Sequence, residues 1–104
     1  MCGRYIQLIK SKNIKRKFDI KSVFADDYIS YNISPNQNSL IITNKVNLNL
    51  ESAEWGFKFN DSKTNLITNV INSRVETIKK KYLFKDSYLK RKCLIPANGY
   101  YEWS

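Results

Sequence analysis

The chain has 104 residues, 42% hydrophobic and 13% aromatic, which suffices for one small domain over residues 1–104 and leaves no room for two. Eighteen lysines and arginines against nine acidic residues give a net charge of +9 and a pI near 9.6, favouring a polyanionic partner, nucleic acid first, over a merely soluble basic surface. Two cysteines and no histidine exclude a Ser-His or Cys-His dyad within this chain and argue against zinc, and three glycines are too few for a phosphate-cradling loop, so no metal and no cofactor is expected.

The first eight residues hold Arg4 in a short apolar alternation and run into lysines, which is not a signal peptide. No stretch approaches the roughly 18 apolar residues of a membrane span. The expectation is a cytoplasmic protein with no membrane partner. A reducing cytoplasm also argues against a disulfide between Cys2 and Cys93, and Cys93 reads as a small buried hydrophobe.

Tyr5, Ile6, Leu8 and Ile9 predict a first strand. Ser11 then offers an N-cap for a brief helix with Ile14 and Phe18 stacked at i, i+4. Val23 and Phe24 lead through Asp26 and Asp27 into Tyr31-Asn32-Ile33-Ser34-Pro35, read as a loop because Pro35 forces an extended approach and ends any helix. Residues 40–43 and 46–50 predict a hairpin turning across Asn44-Lys45, with clean alternation of Val46, Leu48 and Leu50 in its second strand, and residues 53–59 continue the sheet. Leu66, Ile67, Val70 and Ile71 form another apolar segment that delivers Asn72-Ser73-Arg74-Val75-Glu76-Thr77. A helix over residues 79–88, a buried strand over 92–96, a turn at Ala97-Asn98-Gly99 and an aromatic strand over 100–103 complete the reading. An aromatic edge at the end of the sequence needs covering, by more of this domain or by a second chain.

Few side chains in this sequence can carry chemistry. Cys2 is the first: loss of Met1 would leave an α-amine and a thiol on adjacent carbons, a pair that condenses with an aldehyde and closes a five-membered thiazolidine through sulfur. Glu102 is flanked by Tyr100, Tyr101 and Trp103, so desolvation is expected to raise its pKa toward the range that suits proton transfer. The plainer alternative is a carboxylate pointing outward from a half-buried strand. Asn72 and Arg74 share a face if the segment is extended, an amide able to orient an amine beside a guanidinium suited to phosphate. A cap for Asn72 and a surface ion pair for Arg74 are the alternatives. Trp55-Gly56 either presents an indole to a base or simply packs the core.

Together these segments resemble one family, the SOS response-associated peptidases, abasic-site processing proteins that shield abasic sites in single-stranded DNA. Met1-Cys2-Gly3-Arg4-Tyr5 is similar to the family's start, Tyr31-Asn32-Ile33-Ser34-Pro35 to its Tyr-Asn-x-Ala-Pro loop, and Trp55-Gly56 to its Trp-Gly pair. Asn72-Ser73-Arg74-Val75-Glu76-Thr77 resembles Asn-Ala-Arg-x-Glu-Thr, and the stretch from Arg91 to Trp103, through Cys93-Leu94-Ile95-Pro96-Ala97-Asn98-Gly99, resembles Arg-Cys-Leu-Ile-Pro-Ala-x-Gly-Phe-Tyr-Glu-Trp.

The resemblance implies an α+β fold with a mostly antiparallel, curled sheet and short flanking helices, truncated here to the N-terminal portion of the family domain. It implies that Cys2 captures the aldehyde of an abasic sugar as a thiazolidine crosslink, with Asn72 and Glu102 as its catalytic partners. Arg4, Asn32, Pro35, Trp55, Gly56 and Arg74 would contact the DNA. A lyase side activity and loss of Met1 by self-processing belong to the same expectation. Ser34 and Ser73 stand where the family has alanines, and the family's active-site histidine has no counterpart in this sequence, which would impair proton transfer and crosslink reversal. Two other classes remain open from the residues: a truncated, non-catalytic nucleic-acid-binding module, and a self-processing peptidase.

Overall fold

The computed structural model describes residues 3–102, and Met1, Cys2, Trp103 and Ser104 lie outside that range. Its elements run β1 (Tyr5–Ile9), α1 (Ser11–Phe18), β2 (Ser22–Val23), β3 (Tyr28–Ile33), β4 (Asn38–Lys45), β5 (Asn47–Glu54), β6 (Phe57–Asp61), β7 (Leu66–Val70), α2 (Tyr82–Lys90), β8 (Cys93–Leu94) and β9 (Gly99–Tyr100). They form sheets ordered β3-β1-β9, β2-β5-β4-β8 and β6-β7, antiparallel except for the short parallel β2–β5 pairing. The fold is α+β with mostly antiparallel sheets.

The β4–β5 hairpin organises the rest, because its strict alternation gives it two working faces. Leu40, Ile42 and Leu50 point to one side and join Ile9, Ile14 and Ile20 in the core, against which Phe18, Ala25, Tyr28 and Leu48 pack. Each buried Ile or Leu contributes about 1.5–3 kcal/mol. Ser39, Ile41 and Thr43, paired with Ala53, Glu51 and Asn49, share the opposite face. Helix α1 sits on the first face through Ile14, with Lys12, Lys15, Arg16 and Lys17 turned to solvent.

Strand β1 alternates inward at Tyr5, Gln7 and Ile9. Gln7 is fully buried, and its carboxamide joins two sheets: Nε2 donates to the carbonyls of Leu40 (2.9 Å) and Pro96 (2.8 Å), while Oε1 accepts from the Leu40 N–H (2.8 Å). A buried amide is tolerated here because its donors and acceptor all find partners.

Several expectations are corrected. Ser11 is not the N-cap of α1; Lys10 holds that position without a side-chain bond, and the Ser11 N–H donates to Asp27 Oδ1 at 2.7 Å, so the cap comes from a residue distant in sequence. Tyr31, Asn32 and Ile33 belong to strand β3, with the turn beginning at Ser34; Ile33 is fully buried and pairs with Tyr5, a requirement that outweighs the proline's loop signal. The hairpin turns at Val46, with φ 72° and 99% exposed, because Lys45 pairs directly with Asn47 and leaves one residue at the tip. The second helix begins later than expected, at Tyr82, after turns over residues 75–80. Strand β8 keeps only Cys93 and Leu94 of the strand expected over 92–96, and both are exposed. β9 pairs with β1 (Tyr5 with Tyr100, Ile6 with Gly99) and is extended by the Tyr101 N–H bond to the Arg4 carbonyl, so one side of the aromatic segment is satisfied.

Candidate active site

The second face of the hairpin and the β1–β9 pair enclose a cleft of about 570 Å³. Ser39, Ile41 and Ala53 form its floor, Tyr5 and Tyr100 come from the paired strands, and Glu54, Trp55, Gly56, Ile71, Asn72, Cys93, Ile95 and Ala97 complete the wall. The lining is mostly apolar with a few polar groups, the pattern of a site that fixes a small moiety by a handful of contacts.

Trp55 is the hub of this wall. Its ring meets Tyr5 with centroids 5.5 Å apart and planes tilted by 56°, and the Tyr5 hydroxyl donates in turn to Ser39 Oγ. The indole Nε1 donates to the Ile71 carbonyl at 3.0 Å, which fixes the backbone immediately before Asn72. The backbone of Trp55 also pairs with the turn after β3: Asn36 N–H donates to the Trp55 carbonyl and Trp55 N–H to the Gln37 carbonyl, both at 3.0 Å. Pro35 sits half-buried in that turn, which Ser34 N–H closes onto Gln37 Oε1. The Trp55-Gly56 and Asn72 segments, far apart in sequence, therefore meet in the cleft, and the turn that follows Tyr31–Pro35 is tied to Trp55, although no residue from Tyr31 to Pro35 lines the cleft itself.

Gly56 has φ 132°, a region that L side chains rarely adopt, and an added Cβ there would collide with the Asn69 carboxamide. That carboxamide is held in place by Asn69 Nδ2 donating to Asn36 Oδ1 at 2.8 Å. Backbone strain and close approach both require glycine at this position.

The end of β1 that leads back to Cys2 is pinned separately. Arg4 Nη1 donates to Asn32 Oδ1 at 2.8 Å, bridging β1 and β3, and the Tyr101 hydroxyl donates to the Tyr31 carbonyl at 2.9 Å from the other side. Cys2 itself lies outside the described residues. Asn72 is half-buried in the cleft wall, whereas Arg74 is exposed and outside it. Residues 71–74 belong to no strand, and a turn starts at Arg74, whose carbonyl accepts from the N–H groups of Thr77 (3.2 Å) and Ile78 (3.0 Å).

Glu102 departs from its expected environment. It is exposed, and its aromatic neighbours do not bury it: Tyr100 is 69% and Tyr101 51% exposed. Cys93, expected in the core, is exposed as a residue and contributes to the cleft wall, where partial desolvation raises its thiol pKa. Tyr5, Ser39, Ile71 and Tyr100 were not singled out by their chemistry. The inward alternation of Tyr5, Gln7 and Ile9 was the available signal for Tyr5.

A family model described as "SOS response associated peptidase (SRAP)" matches residues 1–104. Three relatives from Bacillus subtilis strain 168 align over 107 positions covering 99% of this chain. They are abasic site processing protein YoaM, 36% identical with 47% of its length covered; YoqW, 34% identical with 48% covered; and YobE, 33% identical with 49% covered. The chain spans about half the length of these curated relatives. No solved structure matches it. The chain belongs to the SOS response associated peptidase family. Among the described residues, no helix is long and apolar enough to cross a membrane.

Proposed function

We propose that this protein recognises abasic sites in single-stranded DNA and captures them covalently through Cys2 once Met1 is removed. The observation that carries the reading is the meeting of the Trp55-Gly56 and Asn72 segments in one cleft to which the strand that begins just after Cys2 contributes Tyr5, with the turn that follows Tyr31–Pro35 bonded to the Trp55 backbone. Relatives named as abasic site processing proteins supply the substrate.

The chemistry follows from the ring-opened abasic sugar, which carries an aldehyde. The α-amine, with a pKa of about 7.7–8.0, is substantially neutral near pH 7.5 and adds to the aldehyde carbon. Loss of one water gives an imine. The Cys2 thiol then adds to the imine carbon, its proton moving to nitrogen, and the ring closes as a thiazolidine. Asn72, fixed by the Trp55–Ile71 bond, would orient the amine and the sugar. Glu102, exposed to solvent beside the β1–β9 end, would take the proton released by the attacking amine. Arg4 and Arg74 would hold phosphates, with Asn32 and Pro35 shaping the DNA-facing side and Trp55-Gly56 allowing close approach of the nucleotide. An imine that escapes ring closure would undergo β-elimination, giving lyase activity from the same intermediate.

The reading makes this a cytoplasmic protein. It makes residues 1–104 the N-terminal portion of one family domain, whose remainder, on this or a second chain, would cover exposed Leu94, Ile95, Tyr100 and Tyr101. The test is incubation with a single-stranded oligonucleotide bearing one abasic site, followed by denaturing electrophoresis. A heat-stable adduct that disappears with Cys2→Ala supports the reading. Salt-sensitive binding with no adduct at saturating protein would replace it with a non-catalytic binding module.

A further inference from the structure

The positive charge of this chain falls in two segments, around α1 and around α2. Residues 79–92 hold seven lysines and arginines and one carboxylate, Asp86, a net +6 of the chain's +9. Asp86 is already engaged by Lys90 (3.2 Å) and Arg91 (2.6 Å). Lys79 and Lys92 have no carboxylate at ion-pair distance among the described residues. Both instead lie against the Tyr88 ring, 5.6 and 4.3 Å from its centroid. One tyrosine thus holds two exposed ammonium groups from opposite ends of α2, reducing the side-chain entropy they would lose on binding an anion.

This cationic surface adjoins the cleft. Phe84 of α2 meets Phe57 edge-to-face at 5.8 Å, and Phe57 follows the cleft residue Gly56. Lys92 directly precedes the cleft residue Cys93. Tyr82, at the start of α2, is 99% exposed. The other basic helix, α1, packs through Ile14 on the hairpin face that points away from the cleft.

We propose that the α2 face, organised by Tyr88, is a track for the phosphate backbone of single-stranded DNA running past the cleft, with Tyr82 as a stacking platform for a base. Charge alone would attract any polyanion. Charge interleaved with an open aromatic ring is what a single strand, with its accessible base faces, can use in full. The track deepens the DNA reading of the cleft and rests on it for the identity of the strand, but it needs no covalent chemistry.

The test is the salt dependence of binding to undamaged oligothymidine, which separates the track from the capture reaction. Removing two phosphate contacts with Lys79→Gln/Lys92→Gln is expected to reduce the slope of log K against log salt by about 1.4 and weaken binding about tenfold near 0.15 M salt. Lys79→Arg/Lys92→Arg should restore both. Tyr82→Ala should lose about tenfold in affinity with the slope unchanged. Lys12→Gln/Lys15→Gln on α1 removes the same charge and should leave the slope within about 0.3 of the parent. Far-ultraviolet circular dichroism confirms that each variant is folded. An unchanged slope in the α2 pair, or an equal fall in the α1 pair, overturns the track whether or not abasic DNA is crosslinked. Loss of crosslinking with these slopes intact overturns the capture reading alone.

Discussion

Replacing Gln7 by leucine tests how the strand leading to Cys2 is held. The change nearly preserves volume but removes three hydrogen bonds: those from Nε2 to the Leu40 and Pro96 carbonyls and that from the Leu40 N–H to Oε1. Leu40 is 1% exposed, so its N–H and carbonyl lose partners that water cannot replace, whereas Pro96 is half-buried and can recover part of its bond. At about 1 kcal/mol per bond, with a further penalty for the two stranded Leu40 groups and an offset from the added apolar surface, the net cost is about 3 kcal/mol. For a domain of this size that lowers Tm by roughly 12–20 °C. Thermal unfolding followed by circular dichroism measures the shift, and hydrogen exchange should show the Leu40 amide losing protection. A Gln7→Leu protein melting within about 3 °C of the parent would refute the idea that this carboxamide ties the sheets together.

Four further outcomes follow from the same geometry. Gly56→Ala should cost about 2 kcal/mol, since it combines a φ of 132° with a collision at Asn69; a change in the denaturant midpoint below a quarter of that would mean the turn relaxes freely. Ser73→Ala should stabilise by about 1 kcal/mol, because the Ser73 hydroxyl is buried without a partner; a lower Tm in the variant contradicts this. Trp55→Phe should cost about 1 kcal/mol through the lost bond to the Ile71 carbonyl and reduce crosslink yield by loosening Asn72; unchanged stability and yield would remove Trp55 from that role. The Asp27 carboxyl is held below its ordinary 3.8 by the Ser11 N–H first, then by the Ser11 hydroxyl and Lys10. Because its folded pKa is depressed, its stabilisation is present above about pH 4 and is lost as pH falls through the folded value. Asp27→Asn should therefore be less stable than the parent at pH 6, with the gap closing toward pH 2; a gap independent of pH contradicts the capping role.

Local patterns locate β1, α1 and the two hairpin strands, though not the α1 cap or the turn at Val46, because alternation or i, i+4 spacing there coincides with burial of Ile9, Ile14, Leu40, Ile42 and Leu50. They failed where a distant partner decides. Tyr31-Asn32-Ile33 is a strand because Ile33 pairs with Tyr5, and the Asp27 cap on α1 has no local signature. Gln7 carries no local signal of burial, and only its distant partners Leu40 and Pro96 explain it. In the cleft, Asn72, Trp55 and Gly56 were recognisable by motif, but the contributions of Ser39, Ile41 and Ala53 depend on which hairpin face was left uncovered by α1. The aromatic flanks of Glu102 suggest burial, yet Glu102, Tyr100 and Tyr101 are all exposed.

The most direct measurement of the central claim is the intact mass and peptide map of the product formed with a single-stranded oligonucleotide containing one abasic site. The account predicts a species equal to the protein without Met1 plus the oligonucleotide minus one water, with the modification on the peptide beginning at Cys2. No covalent product, or an adduct on a lysine that persists in Cys2→Ala, would contradict it.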